Sequence, residues 1–381
     1  MNWNDKTAAN VKAIKPSGIR KFFDIAAQVK GVLSLSIGEP DFAAPDKVLA
    51  AMKASLDAKE TSYTGNSGMM ELREAISHHF EQRYGVHYDP KDEILVTVGV
   101  SEGLAMALLA ITEPGDEVII PDPAYVAYPA SVELAGGTPV FVPTYPEHDF
   151  KLTVEALEKV ITPKTKAIVI GYPNNPTGTV MSAEELMPIA KFAEEHDLIV
   201  LSDEIYCELM YGDAKFTSFA KLPGMRERTV IFNGFSKAYA MTGMRLGYVC
   251  APREGLAPIL KLHQYAIMCA NTTAQVGGIT ALKECDDDVE AMRQEYDRRR
   301  KVIYKGLCDM GLPVFEPKGA FYIFPDIRCT GMTSAEFCEK LVQEEKVAVV
   351  PGTAFGDQGE GFVRISYAAS MDTIQEALKR M

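Results

Sequence analysis

Short apolar segments alternate with longer amphipathic segments between residues 69 and 283 of the chain. The apolar segments are bounded by polar residues, which predicts buried strands. Most of the segments between them have helical spacing, and one of these opens with a Ser182…Glu185 capping box. This alternation favours an α/β fold, with a mostly parallel sheet covered by helices on both faces. The predicted strands are Ile94–Val98, Val118–Ile120, Val140–Val142, Ala167–Ile170, Leu198–Leu201, Val230–Phe232 and Leu246–Cys250.

The segments on either side of this repeat predict a second, smaller α+β domain. Before it, residues 18–29 predict an amphipathic helix and residues 32–41 a short strand, while the helix predicted at residues 46–58 is assigned to the large domain. After it, residues 286–310 predict one long helix that ends at Gly311. Beyond that helix we expect strands at Ala320–Phe324, Val347–Val350 and Gly361–Ser366, and helices capped at Thr333 and Asp372. The large domain is predicted at residues 46–285, and the small, discontinuous domain at residues 1–45 and 286–381.

Composition and charge narrow the class of protein. The chain has 381 residues, of which 47% are hydrophobic, enough for two domains with a sizeable core. A net charge of −13 argues against nucleic acid and anionic membrane surfaces as partners. No apolar run reaches about 18 residues, so we expect no membrane-spanning helix, and the first residues show no signal-peptide core. Seven unpatterned cysteines predict reduced thiols and a cytoplasmic location, and six histidines without ligand spacing predict no metal site.

Polar and aromatic residues follow five of the predicted strands. In sheets of this kind, ligands bind beyond the carboxyl ends of the strands. After the first strand, small residues open a helix whose free N–H groups can bind an anion. The other strand ends add an aromatic ring, an amide, a carboxylate with a phenol, and a lysine, which together suit a charged aromatic cofactor. These residues are Val100, Ser101, Glu102, Tyr125, Asn175, Asp203, Tyr206, Ser236 and Lys237.

Lys237 stands just beyond a buried strand, and Arg245 follows eight residues later. Burial and a cationic neighbour both lower the pKa of a lysine from about 10.4, which frees an amine that can attack a carbonyl. Ser236 and Arg245 beside it suit a phosphate. A nucleophilic lysine next to a phosphate site indicates pyridoxal phosphate. An exposed turn lysine with a structural arginine is the alternative, and this stretch alone leaves both open.

Four motifs occur in a fixed order: Tyr172–Gly178 (YPNNPTG), Ser202–Tyr206 (SDEIY), Phe235–Lys237 (FSK) with Arg245, and Gly361–Ser366 (GFVRIS). Together they resemble the class I/II aminotransferases of PLP fold type I, over nearly the whole chain. The resemblance implies a three-layer large domain with a smaller α+β domain, a homodimer with shared active sites, and pyridoxal 5′-phosphate as cofactor. It also implies amino group transfer from an L-amino acid to a 2-oxo acid by a ping-pong mechanism.

The resemblance also implies roles around the cofactor ring. Lys237 forms the Schiff base and shuttles the substrate proton. Asp203 keeps the pyridine nitrogen protonated, so that the ring accepts electrons. Asn175 and Tyr206 donate to the phenolate oxygen, and Tyr125 stacks on the ring. The alternatives are a helix N-cap for Asp203, an Asn-Pro turn for Asn175, and core positions for the two tyrosines.

The phosphate and substrate positions follow from the same resemblance. Arg364 is expected to bind the substrate carboxylate as a fork, with a structural ion pair as the alternative. Gly38 allows close approach of its backbone, Asn175 lies beside the substrate, and Ile19 forms part of a lid. Glu102 is expected to serve through its N–H, with its carboxylate pointing elsewhere. The phosphate ligands are Val100, Ser101, Glu102, Ser236, Arg245 and, from the partner subunit or else as a surface residue only, Tyr63.

The amino donor is predicted from what the sequence lacks. Related aspartate aminotransferases use a lysine at the position of Ser101, and no Lys or Arg occurs between Gln264 and Leu282. A strict aspartate enzyme is therefore disfavoured, and an aromatic or broad-range donor with 2-oxoglutarate as acceptor is favoured. A pyridoxal-phosphate β-lyase acting on cystathionine is the nearest alternative. The acidic charge disfavours a DNA-binding regulator, and the lack of a Gly-x-Gly-x-x-Gly motif disfavours a nicotinamide dehydrogenase.

Overall fold

A seven-stranded sheet forms the centre of the protein in the computed structural model, which describes residues 1–14, 18 and 29–381. All seven predicted strands are present. The predicted helix at residues 18–29, which includes Ile19, lies outside the described residues. The strands are β2 (Ile94–Thr97), β3 (Glu117–Asp122), β4 (Thr138–Pro143), β5 (Thr165–Ile170), β6 (Ile199–Asp203), β7 (Thr229–Gly234) and β8 (Gly247–Cys250). Across the sheet they lie in the order β2-β8-β7-β6-β5-β3-β4.

Four of the strand pairs are parallel, and the two that involve β8 are antiparallel. The reason lies in the connection from β7 to β8, residues 235–246, which contains only a 3₁₀ turn at Thr242–Met244. A parallel return needs a crossover segment, usually a helix, whereas this short connection lets the chain double back. The predicted α/β fold with a mostly parallel sheet is confirmed, with β8 as its antiparallel member.

Helices cover both faces of the sheet, as the side chains of β2 illustrate. Ile94 and Val96 pack in one cluster with Phe80, whereas Leu95 packs in another with Leu104, because successive strand residues point to opposite faces. The helices are Trp3–Lys6, Ala9–Ala13, Asp46–Asp57, Met70–Tyr84, Gly99–Ile111, Ala127–Leu134, Val154–Leu157, Ala183–Glu195, Arg253–Ala266, Thr272–Glu284, Asp286–Asp309, Ser334–Lys340 and Met371–Arg380. Within the described ranges, none is long and apolar enough to cross a lipid bilayer.

The C-terminal part has small sheets of its own. An antiparallel sheet consists of β11 (Val350–Pro351), β12 (Val363–Ser366) and β9 (Tyr322–Ile323), in that order. The strand β1 (Leu33–Ser34) pairs in parallel with β10 (Val347–Ala348). The predicted strand at residues 32–41 shrinks to β1, and the one at Val347–Val350 divides into β10 and β11.

The helix caps agree with the sequence in two cases and differ in one. Ser182 and Thr333 both form the complete capping box. The prediction of Asp372 as a cap is wrong, because Ser370 caps that helix and Asp372 lies in its first turn. Both residue types accept hydrogen bonds from helix N–H groups, so composition alone does not separate them. The long helix begins at the predicted domain boundary, residue 286, and the boundary itself stays a prediction.

Candidate active site

A cavity of about 320 Å³ lies at the carboxyl ends of the parallel strands. It brings together residues that are far apart in the chain, and most of the predicted site residues line it. Glu102 and Tyr63 do not, and Ile19 lies outside the described residues. The predicted residues that line the cavity are Gly38, Val100, Ser101, Tyr125, Asn175, Asp203, Tyr206, Ser236, Lys237, Arg245 and Arg364.

Lys237 follows β7 and reaches into the cavity, where its Nζ donates a hydrogen bond to the Gly38 carbonyl at 2.8 Å. Burial, and after it the positive charge of the nearby Arg364 guanidinium, lower the pKa of this lysine to about 8. Removal from water disfavours the charged form of an amine. At neutral pH, a larger fraction of the Lys237 amine is therefore in the neutral, nucleophilic form than at a lysine exposed to solvent.

Asp203 ends β6, is buried and lines the same cavity. Its Oδ2 accepts from the Tyr128 hydroxyl at 2.8 Å, and its Oδ1 accepts from the backbone N–H of Ile205 at 3.2 Å. Burial raises the pKa of this carboxyl, and the two hydrogen bonds oppose that rise. Residues 204–210 form turns and not a helix, so Asp203 is no helix cap.

Arg364, on β12, is fully buried and held by neutral partners. Its Nη2 donates to the Ser36 carbonyl at 2.6 Å, and its Nη1 donates to Asn175 Oδ1 at 3.1 Å. The guanidinium lies between the rings of Tyr322 and Phe355, at 4.5 and 4.8 Å from their centroids. Its Nε is buried without a partner, and among the described residues it has no ion pair. A buried cation of this kind is ready for an external carboxylate.

The start of the Gly99–Ile111 helix meets Arg245 at one end of the cavity. Gly99 has a φ of +73°, and a Cβ there would lie 2.6 Å from Nη2 of Arg245. A Cβ at Gly247 would similarly lie 2.8 Å from the Val100 nitrogen. These two glycines let the helix start and the arginine approach closely, which places free N–H groups beside a guanidinium. We call this first helical turn, together with Ser236 and Arg245, the anion cradle.

Two predicted phosphate ligands behave differently from the rest. The Glu102 carboxylate accepts from the backbone N–H of Val98 at 2.6 Å and contacts His263 Nδ1 at 2.7 Å, so it points away from the cavity. Tyr63 is 81% exposed and borders a surface hollow with Thr272, outside the cavity. Its predicted contact with the site of a partner subunit stays a prediction.

Sequence reasoning missed two tyrosines that support the site. Tyr128 orients Asp203, and Tyr322 shares a 2.8 Å hydrogen bond between hydroxyls with Tyr206 while stacking on Arg364. Tyr128 comes three residues after Tyr125, a spacing that could have pointed to it. Tyr322 stood in a predicted strand without any polar motif around it, so no local signal separated it from core aromatics.

The chemistry of this donor set suits one kind of ligand. The cavity is lined by an amine of lowered pKa, a buried carboxylate, the anion cradle and a guanidinium that has no ion pair among the described residues. Such a set can hold a phosphorylated carbonyl compound and, beside it, a second molecule that carries a carboxylate.

Comparison with known proteins agrees with this chemistry. The aspartate aminotransferase of Pyrococcus abyssi is 51% identical over 97% of this chain and 95% of its own length. The aromatic-amino-acid aminotransferase 2 of Thermococcus litoralis is 48% identical over 97% of this chain and 96% of its own. The crystal structure of the aromatic aminotransferase from Pyrococcus horikoshii superimposes with a TM-score of 0.91, at 49% identity, covering 94% of this chain and 97% of that one.

These similarities favour amino group transfer over the β-lyase alternative, because the relatives carry aminotransferase names over nearly their full lengths. The family model of aminotransferase class I and II matches residues 30–381, which includes every described residue of the cavity. The chain therefore belongs to the aminotransferase class I and II family.

Proposed function

We propose that this aminotransferase binds pyridoxal 5′-phosphate in the cavity. It moves the amino group of an aromatic or broad-range L-amino acid to a 2-oxo acid such as 2-oxoglutarate, by a ping-pong mechanism. The observation that carries the proposal is the buried Lys237, whose pKa is lowered to about 8, in one cavity with Asp203 and the anion cradle.

The residues present fit the cofactor. Its phosphate would lie in the anion cradle, where Val100 and Ser101 offer N–H groups and Arg245 a positive charge. The cradle is built for close approach, since a Cβ at Gly99 would fill it. When bound, pyridoxal phosphate supplies an aldehyde that links to amines and a protonated ring that accepts electrons.

The chain's own groups tune that ring. Asp203 would keep a proton on the ring nitrogen, and the Tyr128 hydroxyl, which donates to Asp203 at 2.8 Å, holds that carboxylate in place. Asn175, Tyr206 and Tyr125 line the cavity with it. The Asn175 amide nitrogen and the Tyr206 hydroxyl would donate to the phenolate oxygen, and the Tyr125 ring would pack against the cofactor ring.

Lys237 moves the proton. With the cofactor and substrate bound, its Nζ would be the base that takes the proton of the substrate Cα and gives it back. A pKa of about 8 suits this work near neutral pH, because the neutral and charged forms are both accessible. The Gly38 carbonyl, 2.8 Å away, orients the amine.

Arg364 binds the substrate carboxylate. Asn175 and Ser36 fix two of its nitrogens, and the flanking rings fix its plane, so the fork is pre-organised. The cationic residues that line the described cavity are Lys237, Arg245 and Arg364, and each already has a role. A second carboxylate on the amino donor finds no further cation there, which supports an aromatic or broad-range donor. The chain is about equally similar to an aspartate aminotransferase and to an aromatic-amino-acid aminotransferase, so sequence identity does not decide between these donors.

The working unit is a homodimer with shared active sites, in which the partner subunit's Tyr63 reaches the phosphate. Its exposure of 81% in the single chain supports this arrangement, since a large aromatic ring gains from burial at an interface. All seven cysteines are free, which supports a cytoplasmic enzyme.

The proposal is tested by adding pyridoxal phosphate to the purified protein and recording absorbance between about 330 and 430 nm. The Lys237→Ala variant should lose the band of the lysine-bound form and all transamination. The exposed Lys301→Ala variant is the matched control. A panel of amino acids with 2-oxoglutarate identifies the donor, and pyruvate release from cystathionine without a 2-oxo acid would favour the lyase. A Lys237→Ala variant that transaminates normally would overturn the proposal.

A further inference from the structure

A buried histidine and a buried glutamate meet directly behind the anion cradle. His263 lies on the Arg253–Ala266 helix and is fully buried, and the Glu102 side chain is 8% exposed. The two side chains approach to 2.7 Å between His263 Nδ1 and Glu102 Oε1. Neither lines the cavity, yet Glu102 belongs to the first turn of the helix that would hold the phosphate.

Glu102 replaces a missing cap at this helix. The N-cap residue, Val98, has no side-chain acceptor, and Glu102 Oε2 reaches back to accept from the Val98 N–H at 2.6 Å. The other carboxylate oxygen is occupied by His263. Both oxygens are thus engaged on the far side of the turn, and the remaining N–H groups of Val100 and Ser101 are left for a ligand.

A carboxylate free to turn around would harm the cradle. It lies one residue beyond Ser101, so a rotated side chain could compete for the same N–H groups and repel a phosphate dianion. The groups that contact this carboxylate are the Val98 N–H and the His263 Nδ1, and of the two only His263 is a side chain. The other ring nitrogen, Nε2, is buried without a hydrogen-bond partner in the described structure. In the described structure, the imidazole ring therefore makes its polar contact with Glu102. An apolar side chain would fill the same buried space equally well, so packing does not explain a histidine here.

We propose that His263 is a positioning residue for the phosphate site, which holds the Glu102 carboxylate against Val98 and away from the cradle. This inference rests on the proposed binding of pyridoxal phosphate. It assigns His263 an effect on the phosphate group and none on the ring, since Lys237 and Asp203 are held by other contacts.

The test compares the affinity of the full-length apoenzyme for pyridoxal phosphate, for pyridoxal without its phosphate, and for inorganic phosphate. His263→Leu should weaken pyridoxal phosphate binding about 10-fold, the size expected from losing one hydrogen bond to a charged group, and should weaken inorganic phosphate likewise. Its affinity for pyridoxal should stay unchanged. His263→Asn keeps a donor at the Nδ1 position and should stay within about twofold of the parent. In the double variant Glu102→Gln/His263→Leu, the uncharged amide should restore most of the lost affinity.

Two results would overturn the inference. One is a His263→Leu variant that binds pyridoxal phosphate as tightly as the parent does. The other is an equal loss for pyridoxal phosphate and pyridoxal, because a histidine that only supports the fold affects both. If the leucine variant does not fold, His263→Gln takes its place with the same expectations. A parent protein that binds no pyridoxal phosphate refutes the proposed function instead, so the two failures are distinguishable.

Discussion

Replacing Arg364 by lysine separates the charge of this residue from its shape. The guanidinium is fixed by Ser36 at 2.6 Å, by Asn175 at 3.1 Å and by the rings of Tyr322 and Phe355. Lysine keeps the positive charge, but its single nitrogen cannot occupy both hydrogen-bond positions and also face a carboxylate as a fork. We therefore expect Arg364→Lys to fold normally and to bind amino acids poorly.

The expected loss follows from the hydrogen bonds. A fork makes two charge-assisted bonds to a carboxylate, and a lysine in the same place makes one. Losing one such bond costs about 1.5–3 kcal/mol, which corresponds to a decrease in kcat/KM of about 10- to 150-fold. Because the carboxylate is bound in both the ground state and the transition state, most of the change should appear in KM.

The assay is steady-state transamination with a series of amino acids, together with an amine donor that lacks the carboxylate. The matched control is Arg298→Lys, since Arg298 is exposed and pairs with Glu295 on the surface. The amine should react equally well with the parent and with Arg364→Lys. A variant whose kcat/KM for amino acids stays within twofold of the parent, or which loses the amine reaction to the same extent, would refute the role of Arg364.

Three further predictions concern the lysine, the cradle and the subunit contact. The Lys237 pKa of about 8, lowered by burial, predicts that its reaction with an amine-specific reagent in the apoenzyme falls as pH drops through 8; half-maximal labelling near pH 10.4 contradicts this. Gly99→Ala should weaken pyridoxal phosphate binding at least about 10-fold, because its Cβ meets Arg245 at 2.6 Å. Gly115→Ala, also at positive φ but with open space, is the control and should bind normally. Mixing inactive Tyr63→Ala and Lys237→Ala chains should restore activity in hybrid dimers; no restoration in verified hybrids contradicts shared sites.

The sheet shows how much local pattern can predict. All seven strands were predicted within a few residues of their observed bounds, and the capping boxes at Ser182 and Thr333 are present. Strand and helix periodicity depends on residues that are neighbours in sequence, so it can be recognised without knowing the fold. The error at Asp372 has the same origin, because Ser370 and Asp372 are both acceptable caps and only backbone geometry chooses between them.

The motifs also predicted most of the residues that line the candidate site. Strand ends of a parallel sheet meet at one edge, so residues that follow different strands are expected to share a cavity. The structure brings Asn175, Asp203 and Lys237 together in this way. For Glu102, the sequence showed only that its carboxylate would have to point away from a phosphate, and the contact with the Val98 N–H comes from the structure.

What the sequence by itself determined is therefore the element order, the fold class and the residue types available at each strand end. Only the tertiary structure decided which distant groups touch. Arg364 binds the carbonyl of Ser36, 328 positions away, and Glu102 meets His263, 161 positions away. No local pattern encodes such contacts, because they depend on how whole helices and strands pack. The same packing buries Lys237, and burial, which is a property of the fold and not of the motif, sets the pKa of its amine.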